Sequence, residues 1–244
     1  MIYFDNAATT REKKEVLDAM LPYFTETYSN PSAVYSFASE GQQAVLEARN
    51  QAAALIGAKP EVIYFTGGGS ESDNWALKAT AEEYSSKGRH IITTKIEHHA
   101  ILHTCEYLEK HGFDVTYLPV KENGMVDPEV FENAITDKTV LASVMYVNNE
   151  VGTVQPIKEL AEIAHKHGVT FHTDAVQTFG KVEVDVEKQN IDLLSVSSHK
   201  INGPKGVGAR YIKKGVRLVP LIHGGGQERG IRSGTENVAG IVGF

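Results

Sequence analysis

Apolar and polar positions alternate along the chain in two rhythms. Residues 40–56 (EGQQAVLEARNQAAALI) carry apolar side chains at helical spacing among strong helix formers, and Gly57 follows as a stop. Residues 62–66 (VIYFT) form a short continuous apolar run, which predicts a buried strand leading into a glycine turn. A helix is predicted next, over 70–85. Further runs at 90–94 (HIITT), 114–118 (DVTYL), 140–147 (VLASVMYV), 169–173 (VTFHT), 191–197 (IDLLSVS) and 208–212 (GARYI) predict strands, and 158–167 predicts a helix among them. Strands alternating with helices point to an α/β sheet with helices on both faces. Runs this apolar suit strands covered on both faces, as in parallel sheets. The first dozen residues read as extended and meet a helix at 13–20; they could belong to a separate small domain.

Composition narrows the class. The 244 residues are 41% hydrophobic and 23% charged, an ordinary globular balance for one large or two small domains. The formal net charge is -7. A mildly acidic chain presents no broad basic field, which argues against nucleic acid or an anionic membrane as the main partner. The longest apolar stretch, 140–147, is strand-sized and far too short to span a membrane. No secretory pattern is visible in residues 1–14. The single cysteine, Cys105, permits no intrachain disulfide, which fits a reducing, cytoplasmic setting.

Six segments carry candidate chemistry. In residues 195–208 (SVSSHKINGPKGVG), Lys200 sits at a strand end beside hydroxyls and a histidine. An amine must be neutral to attack an aldehyde, and burial with nearby cations lowers its pKa, so the setting suits a Schiff-base lysine. Ser197, Ser198 and His199 would hold a phosphate beside it. Taken alone, the lysine is better explained as a surface residue. In residues 65–74 (FTGGGSESDN), three glycines and Ser70 precede a helix. Glycines let backbone amides approach an anion, and a helix N-terminus favours phosphate. The segment matches neither the dinucleotide fingerprint nor the Walker loop, and a plain tight turn explains it equally well.

In residues 172–177 (HTDAVQ), Asp174 ends an apolar strand. A buried aspartate needs a cationic partner, and a protonated pyridine nitrogen is one; a helix N-cap is the other use for it. Both Asp174 and Lys200 would lie at one edge of a parallel sheet, where ligands bind. In residues 97–103 (EHHAILH), His98 or His99 could lie against an aromatic cofactor. No zinc-type spacing supports a metal there. In residues 147–156, Asn148 and Asn149 offer amide donors, or simply build a turn. Residues 223–238 combine glycines, Arg229, Arg232 and Thr235, and could bind anions or form a flexible loop.

Together these segments resemble the cysteine desulfurases, the NifS/IscS-like branch of the class-V aminotransferases. The resemblance rests on YFDNAATT, YSNPSAVYSFASEG, FTGGGSESDN, EHHAILHTCEYLE, VNNEVGTVQPI, HTDAVQTFGKV, SSHKINGPKGVGARY and HGGGQERGIRSGTENVAG, in the family's order. It implies a fold-type-I transferase whose large domain has a mainly parallel central sheet flanked by helices. Residues 1–12 would be a segment of the small domain and 13–244 the domain that binds pyridoxal 5'-phosphate.

The resemblance also assigns roles. Lys200 would form the internal aldimine, Asp174 would pair with the pyridinium nitrogen, and Gln177 and Asn149 would approach the ring's phenolic oxygen. His98 would stack on the ring and shuttle protons, making Lys200 and His98 the catalytic pair. Gly69, Ser70, Ser197 and His199 would hold the phosphate, with Gly69-Ser70 standing where the family often has Ala-Thr. Thr235 would reach the phosphate of the partner in a homodimer. No metal is implied. The implied reaction removes sulfur from L-cysteine, leaving L-alanine and an enzyme persulfide for an iron–sulfur scaffold or a thiolation enzyme.

Here the sequence departs from the family. Cys105 falls in a predicted helix and does not match the catalytic cysteine, which with the C-terminal small domain and the substrate-carboxylate arginine would lie beyond residue 244. The chain is therefore expected to be a truncated form, with Cys105 a buried helix residue. A selenocysteine lyase or aminotransferase of the same class, or a non-catalytic cofactor-binding fragment, is the alternative.

Overall fold

The computed structural model describes residues 2–244. A seven-stranded sheet forms the centre: β1 (Ile63–Thr66), β2 (His90–Thr94), β3 (Asp114–Leu118), β4 (Thr139–Ser143), β5 (Thr170–Asp174), β6 (Leu193–Ser197) and β7 (Gly208–Ile212). Their order across the sheet is β1-β7-β6-β5-β4-β2-β3. The pairings among β2 to β6 are parallel, and β7 alone runs antiparallel to both its neighbours. Every residue of β2, β4, β6 and β7 is buried, which is why these segments read as unbroken apolar runs.

Among the described residues, eight α-helices accompany the sheet: α1 (Lys14–Met20), α2 (Pro22–Thr25), α3 (Ser39–Ala54), α4 (Gly69–Glu83), α5 (His99–Glu109), α6 (Pro128–Ala134), α7 (Ile157–Lys166) and α8 (Val238–Val242). Helix α7 buries Ile157, Leu160, Ala161 and Ala164 on one stripe and leaves its charged residues outside. Helix α4 is more deeply buried; it packs across β4 to β7, and its Trp75, Ala76 and Leu77 are fully enclosed. The indole N–H of Trp75 donates to the carbonyl of Val219 at 3.0 Å, so the large ring is buried without an unpaired donor.

One expected strand is shorter than its apolar run. Residues 140–147 predict a single strand, but β4 ends at Ser143. The chain continues as an extended ledge, with the N–H groups of Val144 and Tyr146 donating to His172 and Asp174, and Val147 pairs with Val154 instead. The apolar run persists because Val144, Met145 and Tyr146 are all buried, Val144 and Tyr146 in the main core.

Because β2, β4, β5 and β6 are parallel, their carboxyl ends share one edge. Strand order reverses between β2, flanked outward by β3, and β4, which begins the run toward β6. Ligands bind at such a switch point in open α/β sheets. Residues 5–10 lie across this edge: Thr10 donates N–H and hydroxyl to the His199 carbonyl, at 2.9 and 2.7 Å.

Candidate active site

A cavity of about 770 Å³ opens at that edge. Lys200 enters it from the short turn after β6. Its Nζ donates to the carbonyl of Ala8 at 2.9 Å and also to that of Ala7. Burial lowers the pKa of this amine, Lys181 lowers it further, and Asp174 and Asp5 oppose the change. This is the direction a nucleophilic amine needs.

Asp174 ends β5 and is 5% exposed. Its Oδ1 accepts the Val176 N–H at 2.9 Å, and no other donor among the described residues reaches the carboxylate. Burial raises its pKa, while the Val176 N–H and Lys200 favour the charge. Its turn-capping bond thus occupies one oxygen and leaves the other for a cation. Gln177 follows and donates from Nε2 to the Ala7 carbonyl at 2.9 Å.

His98 lies between β2 and α5. Its Nδ1 accepts the Ala100 N–H at 3.1 Å, which caps α5 and places the ring proton on Nε2. Burial, Lys200 and His99 all lower its pKa, in keeping with an Nδ1 that accepts a hydrogen bond. His99 does not line this cavity; it stacks on His103, centroids 5.2 Å apart.

The remaining wall is an anion cradle. Gly68 caps α4 at φ 141, a conformation open to glycine, and the helix starts at Gly69 and Ser70. Gly208 lets the chain after Lys200 come close: a Cβ there would meet the Gly68 Cα at 2.8 Å and the Val196 carbonyl at 2.5 Å. Gly69, Ser70, Ser197 and His199 all line the cavity, with Lys205 at its rim. The hydroxyls of Ser70 and Ser197 have no partner among the described residues, and the first N–H groups of a helix have none within it. His199 Nδ1 meets Thr9 Oγ1 at 3.1 Å.

Several sequence expectations are corrected. Ser198 does not belong to the cradle: successive side chains at a strand end point to opposite sides, and Ser198 is fully buried away from the cavity. Asn148 is a turn-builder rather than a ligand. Its Nδ2 donates to the Ile96 carbonyl, and its Oδ1 accepts the N–H groups of Glu150 and Val151. Asn149 does line the cavity, with its amide donating to Glu150 at 2.6 Å.

The loop at 223–238 is tied down by its charged residues, and both its arginines are already engaged. Arg232 is paired with Glu71 at 2.8 and 3.1 Å. Arg229 donates to the carbonyls of Ile63 and Pro60. Glu228, buried at φ 45, receives both Arg49 nitrogens at 2.7 and 2.8 Å and the Phe65 N–H at 3.0 Å. Thr235 is exposed on this loop and outside the cavity.

Sequence reasoning missed the backbone of residues 5–9, which walls the cavity through its carbonyls, and the buried acids Asp73 and Glu97. Only the carboxylates carry a signal in the sequence, as acidic residues inside otherwise buried segments.

The sequence profile of the class-V aminotransferases ("Aminotransferase class-V") matches residues 2–244. The chain belongs to the class-V aminotransferase family. Within it, the chain is 58% identical to the cysteine desulfurase IscS of Methanosarcina thermophila and 59% identical to that of Clostridium botulinum. Each match takes in 100% of this chain and 60% or 61% of the relative, so the chain spans about three-fifths of their length. Among solved structures, a NifS-like protein superposes with a TM-score of 0.97 at 48% identity, covering 99% of this chain and 67% of the other. SspA in complex with cysteine gives a TM-score of 0.97 at 46% identity, covering 100% of this chain and 71% of the other.

Class-V aminotransferases and cysteine desulfurases are pyridoxal-phosphate enzymes. The residues fit that group: an amine of lowered pKa suits an aldehyde, a buried carboxylate with a free oxygen suits a protonated ring nitrogen, and unpaired hydroxyls at a helix N-terminus suit a phosphate.

Proposed function

We propose that this chain is the cofactor-binding part of a pyridoxal-phosphate-dependent cysteine desulfurase. The observation that carries the reading is the meeting of Lys200, Asp174, His98 and the anion cradle in one cavity. When bound, the cofactor supplies an electron sink for charge developing on the amino acid. Lys200 would hold it through Nζ. Asp174 would offer its free carboxylate oxygen to the protonated ring nitrogen. Gly69, Ser70, Ser197 and His199 bind the phosphate, and Gln177 and Asn149 offer amide donors to the phenolic oxygen. His98 presents a neutral imidazole with its proton at Nε2, which can be donated and recovered near the reacting atoms.

The substrate is L-cysteine, supported by the family relationship and by the cysteine-bound relative. Its sulfur passes to a thiol, leaving L-alanine. Cys105 is unsuited to that task, because it is fully buried and burial pushes its thiol up to about 12. The accepting thiol therefore comes from outside residues 1–244. Residues 1–12 are assigned to a second domain and 13–244 to the cofactor domain. Thr235, exposed on its pinned loop, is assigned to the phosphate of a second copy in a homodimer. The sulfur acceptor is an iron–sulfur scaffold or a thiolation enzyme, and the setting is cytoplasmic. No helix among the described residues is long and apolar enough to cross a membrane.

The test is to add L-cysteine to cofactor-loaded chain with excess dithiothreitol as external thiol. A change in the visible spectrum, followed by alanine and sulfide, is expected. An unchanged spectrum with cysteine would contradict the assignment of substrate.

A further inference from the structure

Glu97 has no part in the roles above, yet it is the best-placed side chain beneath the site. It lies in the turn between β2 and His98 and is 6% exposed. Its Oε1 accepts the Thr94 hydroxyl at 2.7 Å and the Met145 N–H at 2.9 Å. The first partner ends β2; the second lies on the ledge after β4. One oxygen atom therefore ties together the two segments that carry His98 and Met145 into the cavity.

Its other oxygen, Oε2, is buried and has no hydrogen-bond partner among the described residues. No cation offsets a charge there. The titratable groups facing it are Asp174 from the end of β5, Asp73 from α4 and the Cys105 thiol from α5. All of these are acids. An ionised Glu97 would be an unpaired buried anion beside other acids, an arrangement that favours the neutral form. Burial accordingly pushes its carboxyl up to about 8, against the bonds from Met145 and Thr94. Asp73 is raised for the same reasons, by burial and by Asp174. Asp174 differs from both in having Lys200 nearby and an opening to the cavity.

We propose that Glu97 is the positioning residue of the site and acts as a neutral carboxylic acid. It fixes the His98 turn against the ledge and leaves Asp174 as the ionised carboxylate facing the ring. This rests on the cofactor assignment above, and acts through His98 and Asp174 rather than by touching the cofactor.

Two substitutions separate charge from shape. E97Q keeps a neutral planar acceptor for Thr94 and Met145; E97A removes it. The first measurement needs no cofactor. The infrared difference spectrum, wild type minus E97Q, should show a carboxylic-acid carbonyl band below about pH 8 that gives way to a carboxylate band above it. A carboxylate band throughout the neutral range would overturn the proposal.

The second measurement is the affinity for pyridoxal phosphate and the pH titration of its visible band. E97Q is expected to bind within about twofold of wild type and to titrate at the same pH. E97A is expected to bind roughly tenfold more weakly, the loss of about one net hydrogen bond, with a shifted titration. E97Q as impaired as E97A would show that the charge is needed, and wild-type behaviour of E97A would show that the tie is not; either result overturns the proposal. Should E97A fail to fold, E97Q and the infrared band decide. A wild-type chain that takes no cofactor would sink the cofactor assignment and leave the infrared test of Glu97 standing.

Discussion

In the proposed site Lys200 supplies the amine and Asp174 the carboxylate, and each can be removed separately. K200A should abolish covalent retention of the cofactor, with the chain returning colourless from gel filtration. D174N should keep the fold, because the amide oxygen can still accept the Val176 N–H. It should weaken binding of the protonated cofactor by tenfold or more, about 1.4 kcal/mol for the lost ionic partner, as read by fluorescence titration. Glu97 adds a pH signature to stability. Its carboxyl titrates near 4.5 when unfolded and near 8 when folded, so between those values the folded state holds the extra proton. Stability from this group is present below 4.5 and is lost as pH rises toward 8. E97Q should remove that slope, so the gap between the two unfolding curves should change across this window. The lysine and the aspartate are legible in the sequence because each closes an apolar run with a polar residue. Ser198 was misassigned because a sequence does not tell which of two adjacent hydroxyls faces the ligand.

The elements deliver these residues through their ends. Parallel strands β2, β4, β5 and β6 bring His98, Met145, Asp174 and Lys200 to one edge, and α4 brings its N-terminus. Gly68, at φ 141, sets the entry to that helix. G68A should therefore strain the turn by about 1–3 kcal/mol in chemical denaturation and weaken phosphate binding together with it. The 223–238 loop is held by a different device, the buried Arg49–Glu228 pair at 2.7 Å. R49A leaves Glu228 buried without its partner and should cost about 3–5 kcal/mol in the same assay. Strand positions were readable because buried parallel strands need little else than apolar residues. Where the run continued past Ser143, burial alone imitated a strand. The pinning of the loop was not readable, because it depends on Arg49, which is far away in sequence.

At the scale of the molecule, several large apolar side chains in the first 35 residues are left exposed. Phe4 is 87% exposed, Tyr28 67% and Phe24 57%, and Val34 and Tyr35 are exposed nearby. Apolar surface of this kind promotes association. The chain should self-associate with rising concentration in light scattering, and a paired F24E/Y28E change should reduce that; monodisperse wild-type monomer would count against it. The α/β class and mainly parallel sheet followed from alternation of rhythms, whereas the backbone of residues 5–9 over Lys200 did not, because main-chain carbonyls leave no mark in a sequence.

The proposed attachment of pyridoxal phosphate is to Lys200, in a cavity that Asp174 lines. It is tested most directly by loading the chain, reducing it with borohydride and mapping the modified peptide by mass spectrometry. A visible band lost on reduction, with the added mass on Lys200 alone, is the predicted result. A chain that stays colourless with added cofactor, or a label scattered over surface lysines, would contradict it.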